Sequence, residues 1–160
     1  LQAELDAKDL TLRKVFPQDG LVCLHDPDTL EQALVAVVIN AIEASPVGQS
    51  IELRAQRLAC DETGRSEDGQ QETPTDWCRV SVTDRGPGLP VEELDQVFFF
   101  SYSTKQRGMG LGLALARQAL MRQGGRISAV NDPQGGATIR VDFPMGETRE
   151  EDRTMDTSAG

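Results

Sequence analysis

Positive charge, cysteine pairs, histidine and long apolar runs are all scarce in this chain. Its 160 residues carry 16 Lys and Arg against 26 Asp and Glu, a formal net charge of −10. A nucleic-acid surface draws on clustered Lys and Arg, so this balance argues against such a partner. No apolar run is long enough to span a bilayer, and the start lacks a charged-then-apolar signal, so the expected location is cytoplasmic. The three cysteines, Cys23, Cys60 and Cys78, are odd in number and show no CxxC spacing. That supports neither a disulfide framework nor a zinc site, and the bland expectation is buried free thiols. Only one histidine, His25, is present, in a short apolar stretch where a structural or surface role is expected.

What remains is periodic. The length suits one domain with a single core. "LQAELDAKD" reads as a helix end, and its abrupt, charged start suggests a piece of a longer protein. "LTLRKVFP" alternates as a strand, and "LVCLH" reads as a second. In "DTLEQALVAVVINAIEAS", residues Leu30, Ala33, Leu34, Val37, Val38, Ala41 and Ile42 fall at the spacing of a buried helical stripe. Asp28 and Glu31 fit a capping box at its start. "IELRAQRLA" and "WCRVSVTD" alternate as strands. The acidic stretch between them predicts a mobile loop at 60–76. "PVEELDQVF" predicts a short helix. "GLALARQALMRQGG" predicts a longer one, closed by Gly124 and Gly125. "RISAVND" and "ATIRVDFP" predict a terminal hairpin. The order implies an α+β, two-layer α/β sandwich, with a mixed, mostly antiparallel sheet on one layer of helices. Residues 1–9 read as the end of an upstream helix or a linker, 10–145 as the domain, and 146–160 as a disordered tail.

Three short constellations carry chemistry. Gly108, Gly110 and Gly112 run directly into a helix, whose first N–H groups are unpaired and partly positive. Glycines let a phosphate approach such donors. The spacing is neither GxGxxG after a strand nor GxxxxGK[ST]. The second constellation is "VSVTDRGPGLP", a strand ending in Asp84 and turning on Gly86 and Gly88. A buried carboxylate there needs a donor, and the exocyclic amine of adenine is one. The third is Asn40, with Ala36 and Glu43, on the edge of the apolar helix. Its carbonyl oxygen suits Mg²⁺, which takes hard oxygen ligands and is commonly shared with phosphates.

These three elements, in this order, bring out a family likeness. "NAIEAS", "DRGPGLP", "VFFFSYSTK" and "GMGLGLALAR" resemble the N, G1, F and G2 boxes of the histidine-kinase-type ATPase domain, the Bergerat-type ATP-binding fold. That superfamily includes sensor histidine kinases, gyrase B, heat-shock chaperones and mismatch-repair ATPases. The resemblance spans about residues 10 to 145 and is nearest to the sensor kinases. It implies ATP and Mg²⁺ as cofactors. It implies Asn40 as the Mg²⁺ ligand and Asp84 as acceptor for the adenine amine, with Gly86 and Gly88 shaping the base pocket. Thr138 would support adenine recognition. Tyr102 would pack near a lid, and Lys105 would reach the terminal phosphates. Gly108, Gly110, Leu111 and Gly112 would supply the lid hinge and phosphate contacts. Asn40 and Lys105 are thus the residues implied to act in catalysis.

The likeness also implies partners. A kinase of this type donates the γ-phosphate to a histidine on a separate dimerisation domain, and a response regulator receives it next. That domain would lie upstream, so this chain is expected to be monomeric, and the parent could be cytoplasmic or the cytoplasmic part of a membrane-bound sensor. Ala36 stands where the gyrase-like branch holds a water-activating Glu, which argues against independent ATP hydrolysis. Phe100, Ser101 and Arg85 also depart from the family pattern. The alternative reading is a nucleotide-dependent interaction module, a degenerate kinase domain or an anti-sigma-type regulator, without phosphotransfer.

Overall fold

The computed structural model describes residues 1–21, 23, 25–58, 76–99 and 112–145. The expected loop at 60–76 falls outside these residues except for Asp76, and the expected tail at 146–160 falls outside them altogether. In chain order the elements are α1 (Gln2–Ala7), β1 (Thr11–Val15), α2 (Pro27–Ala44), β2 (Ser50–Leu58) and β3 (Trp77–Thr83). Two 3₁₀ turns, Val91–Glu93 and Gln96–Phe98, precede α3 (Gly112–Met121), β4 (Arg126–Asn131) and β5 (Ala137–Pro144).

The strands form one sheet in the order β1-β2-β3-β5-β4, with β1 and β4 at its edges among the described residues. β1 runs parallel to β2, with Thr11 opposite Ser50, and the other pairings are antiparallel. Two parallel neighbours need a crossover, and α2 supplies it, as in a βαβ unit. The expected mixed, mostly antiparallel sheet is therefore present. Its apolar face is covered by α2 and α3: Val37, Ile42, Ile51, Val82, Leu120, Val141 and Phe143 belong to one buried cluster. Leu5 of α1, only 4% exposed, joins it. On the other face, Arg79 grips Asp142 through two 2.7 Å hydrogen bonds.

Three local expectations are corrected. The described residues of "LVCLH", Leu21, Cys23 and His25, form no regular strand. Among them only Cys23 makes a ladder contact, an isolated bridge to Met145, because β4 has already taken the edge of β5 up to Asp142. The cap of α2 is Asp26, not Asp28: its carboxylate accepts from Thr29 N–H at 2.8 Å, and Pro27 fills the first turn. Proline suits that turn because its missing N–H is one of the unpaired ones there. "PVEELDQVF" forms two 3₁₀ turns in place of a helix. The stretch is too short for an α-helical nucleus to repay its cost, and burial of Val97 and Phe98 sets its path instead.

His25 sits at the bend before α2, not in a strand, with its ring 5.5 Å from that of Phe143. Burial lowers its pKa, with Asp26 opposing. Cys23 and Cys78 are free thiols, and Cys60 falls outside the described residues. Burial, reinforced by neighbouring Cys23, pushes Cys78 up to about 12, which keeps it an unreactive thiol.

Two leucines of α3 test the layer assignment. Leu120 is fully buried, whereas Leu115 is 54% exposed. Leu120→Ala is expected to cost about 2–5 kcal/mol, and Leu115→Ala to stay within about 0.5 kcal/mol. Urea unfolding of the two variants measures both.

Candidate functional site

The site is built where the end of β3 meets the C-terminal end of α2 and the β4–β5 turn. In β3 the odd-numbered residues face away from the helices and the even ones face them, so Asp84, next after Thr83, points to the helix side. Its N–H continues the ladder by donating to Ala137 O at 3.0 Å. Its Oδ1 then replaces a backbone carbonyl, accepting from Ala137 N–H at 3.2 Å and from Gly86 N–H at 2.8 Å. Asp84 is 3% exposed, and among the described residues both of these bonds fall on Oδ1.

Close approach fixes the glycines around it. A Cβ on Gly86 would stand 2.6 Å from Ala44 O, so the turn backs directly onto the last turn of α2. Gly136 has φ +92°, and a Cβ there would overlap the Asp84 carbonyl. Only glycine meets both demands without strain. The turn is then pinned from a second side. The Asn131 amide accepts from Leu89 N–H at 2.9 Å and donates to Leu89 O at 2.7 Å, while Gly88 lies against its Oδ1. Arg85 reaches Asp132 and Gly135 O, each at 3.3 Å.

α2 joins this turn to the start of α3. Ala36, Asn40 and Ala44 recur every fourth residue, so they lie on one face of the helix. Ala36 meets Gly112 (3.7 Å from a Cβ built on the glycine), and Ala44 meets Gly86. Asn40 is half-buried midway between them. The structure therefore brings Asn40, Asp84, Gly86, Gly88 and Gly112 to one side of the domain. A groove lined by Val35, Ala36, Ile39 and Gly112, with Asp28, Glu31 and Gln32, adjoins this site along α2. Tyr102, Lys105, Gly108, Gly110 and Leu111 fall outside the described residues.

Thr138 is not brought to the Asp84 carboxylate. It pairs with Thr83, and the two hydroxyls are 2.9 Å apart on the opposite face of the sheet. Its neighbour Ala137 meets the carboxylate, through its backbone alone. Strand alternation is the reason: a shift of one residue reverses the side-chain direction. Gly136, Asn131, Asp132 and Ala137 were not singled out as site residues. "PQGGAT" marked the turn, but nothing local marked Asn131, whose partner is 42 residues away.

Comparison with known proteins bears on the family and the fold. Residues 25–147 match the family described as histidine kinase-, DNA gyrase B-, and HSP90-like ATPase, and the chain belongs to that family. It is 36% identical over 122 residues to the sensory histidine kinase/phosphatase NtrB of Escherichia coli O157:H7, covering 76% of this chain and 33% of that protein. It is 31% identical over 126 residues to the sensor histidine kinase ZraS of Escherichia coli K12, covering 79% of this chain and 24% of that one. The chain thus spans a third or less of the length of these two relatives. Among solved structures, the catalytic domain of histidine kinase ThkA superposes with a TM-score of 0.71 at 24% identity, covering 90% of this chain and 84% of that one. The mycobacterial sensor histidine kinase MprB gives 0.70 at 24% identity, covering 90% and 88%. Full-length ShkA, solved in complex with AMPPNP, also gives 0.70, at 23% identity, covering 90% of this chain and 27% of that one. These likenesses establish the α+β fold.

Burial raises the Asp84 pKa; hydrogen bonds from Gly86 and Ala137 and the charge of Arg85 oppose it, and Asp132 adds to it. The folded carboxyl therefore keeps its proton to higher pH than the unfolded one. Over that interval the folded state binds more protons, so stability falls as pH rises through it. The parent is expected to lose this component as pH rises from about 4 into the raised range. Asp84→Asn, which keeps the Oδ1 acceptor, is expected to be at least as stable at neutral pH. Thermal melts across a pH series check this, and a clearly less stable variant at neutral pH would mean the charge supports the turn.

Proposed function

We propose that this chain is the catalytic, ATP-binding domain of a bacterial two-component sensor histidine kinase. It binds Mg-ATP and presents the γ-phosphate to a histidine on a separate dimerisation domain, with a response regulator as the next acceptor. The observation that carries the reading is the Asp84 carboxylate, buried with backbone donors on one oxygen and backed by two turns that admit no Cβ. A flat base can approach such backbone closely, and the carboxylate can accept from its amine. Asn40 offers a neutral hard oxygen from the helix face between Gly112 and Gly86, a donor that suits Mg²⁺. The N-terminus of α3 offers N–H groups toward phosphate.

Bound Mg-ATP would supply a transferable phosphoryl group whose charge the metal shares. The chain's own work is then to hold and orient. Asp84 would fix the base, Asn40 the ion, and the start of α3 the phosphates. The parts assigned to Tyr102, Lys105, Gly108, Gly110 and Leu111 rest on sequence resemblance alone. Gly88 would shape the turn from its contact with Asn131. Ala36 offers no acid or base, so the domain is expected to transfer phosphate without hydrolysing ATP on its own. Among the described residues no helix is long and apolar enough to cross a membrane. A cytoplasmic setting is part of the proposal.

Titration with ATP and GTP tests the base pocket. The parent is expected to prefer ATP, and Asp84→Asn to weaken ATP binding by about one to two decades, the loss of a charge-assisted hydrogen bond. Equal affinity of the parent for both nucleotides would remove the adenine role. Asn40→Ala tests the metal. It is expected to abolish the gain in ATP affinity that Mg²⁺ gives while leaving metal-free ADP binding unchanged. If metal-free binding falls equally, Asn40 is a packing residue. Incubation with ATP and an added dimerisation domain separates a kinase from an interaction module, which would bind nucleotide and transfer nothing.

A further inference from the structure

We infer that Lys8 is a positioning residue for the nucleotide site, acting through the C-terminal end of α2. The inference rests on the proposed function for its ligand but on separate contacts for its mechanism. Lys8 follows α1, and its Nζ donates to three carbonyls at the end of α2: Ile42 O at 2.8 Å, Glu43 O at 3.0 Å and Ser45 O at 3.0 Å. An ammonium has three N–H donors, so this set uses all of them. The last turn of α2 contains no basic residue of its own, and its carbonyls carry partial negative charge. Lys8 supplies from another element the cation that the helix lacks.

The fourth carbonyl in that run is the informative one. Between Glu43 and Ser45 lies Ala44, whose oxygen is the atom that Gly86 backs against. Gly86 in turn donates to Asp84 Oδ1. A continuous set of contacts therefore runs from Lys8 to the end of α2, to the Gly86 turn, to the buried carboxylate. Both ends of the set are held. Leu5 and Leu10, on either side of Lys8, are buried at 4% and 8% exposure, and Lys8 O accepts from Gly48 N–H at 3.0 Å. On α2, the Ser45 hydroxyl donates to Ala41 O at 2.8 Å. With the ammonium removed, three carbonyls lose their cation, and the last turn is free to tilt away from Gly86.

The test is Lys8→Met, which keeps the aliphatic stem, measured where circular dichroism shows parent and variant fully folded. Loss of stability alone does not alter affinity there. Lys8→Met is expected to weaken adenosine, ADP and ATP by a similar factor, about fivefold, because the effect reaches the base and not the phosphates. The Gly86 amide resonance is expected to shift without nucleotide, and Lys8→Arg to restore both readouts. If Lys8→Met does not fold, Lys8→Gln is measured in the same way. Unchanged affinities with an unmoved Gly86 resonance overturn the inference and leave Lys8 a surface cap. If the parent binds no adenine nucleotide, the proposed function fails instead. The Gly86 resonance then decides the inference by itself: a shift supports it and an unmoved peak overturns it.

Discussion

The carboxylate of Asp84 holds the candidate site together by standing in for a backbone group. Where β3 ends, its partner β5 still has an N–H to satisfy at Ala137, and Asp84 Oδ1 satisfies it. The same oxygen takes the Gly86 N–H, which forces the chain to turn at once. Everything nearby answers to that turn. Gly136 has no side chain because the Asp84 carbonyl fills its space, and Gly86 has none because Ala44 O does. A buried carboxylate is costly unless bonded, so this arrangement survives only with its donors in place.

The second organising element is the face of α2 that carries Ala36, Asn40 and Ala44. One helix touches both glycine regions, at Ala36 and at Ala44, and the eight-residue step between those contacts sets the distance between the regions. A ligand engaging both ends is therefore measured against a rigid helix rather than against two loops. Rigid supports hold functional groups more closely than loops do. The Ala at 36 and the glycine at 112 leave this end of the helix open to the adjoining groove.

Much of this was legible in the sequence because it was local. The α2 stripe, the alternation in β2 and β3, and the terminal hairpin each repeat within one element, and the structure has them. The box resemblance singled out Asn40, Asp84, Gly86 and Gly112, and they fall on one side of the domain. Where the structure departs from the local pattern, partners far along the chain mostly set the outcome, and the α2 cap is the local exception. "LVCLH" has the pattern of a strand, but β4 holds the edge of β5 up to Asp142, and among its described residues only Cys23 bridges, to Met145. The α2 cap moved to Asp26 because Pro27 fixed the first turn. Thr138 looked suitable by type, yet strand parity turns its hydroxyl to Thr83. Asn131 and Lys8 act through backbone atoms 42 and 34 residues away, and a single side chain on a distant carbonyl leaves no local pattern.

Among the described residues β1 lies at the edge of the sheet, and this has a consequence for association. An edge strand offers unpaired N–H and C=O groups to any passing strand. Here its central residues are Arg13 and Lys14, both exposed. Arg13 leans toward Glu52 at 3.8 Å and still leaves 71% of its side chain in solvent. If two copies met edge to edge about a twofold axis, each cationic pair would face its own likeness, and like charges directly opposite repel. Continuation of the sheet from one molecule into the next is thus opposed at the strand that would have to carry it.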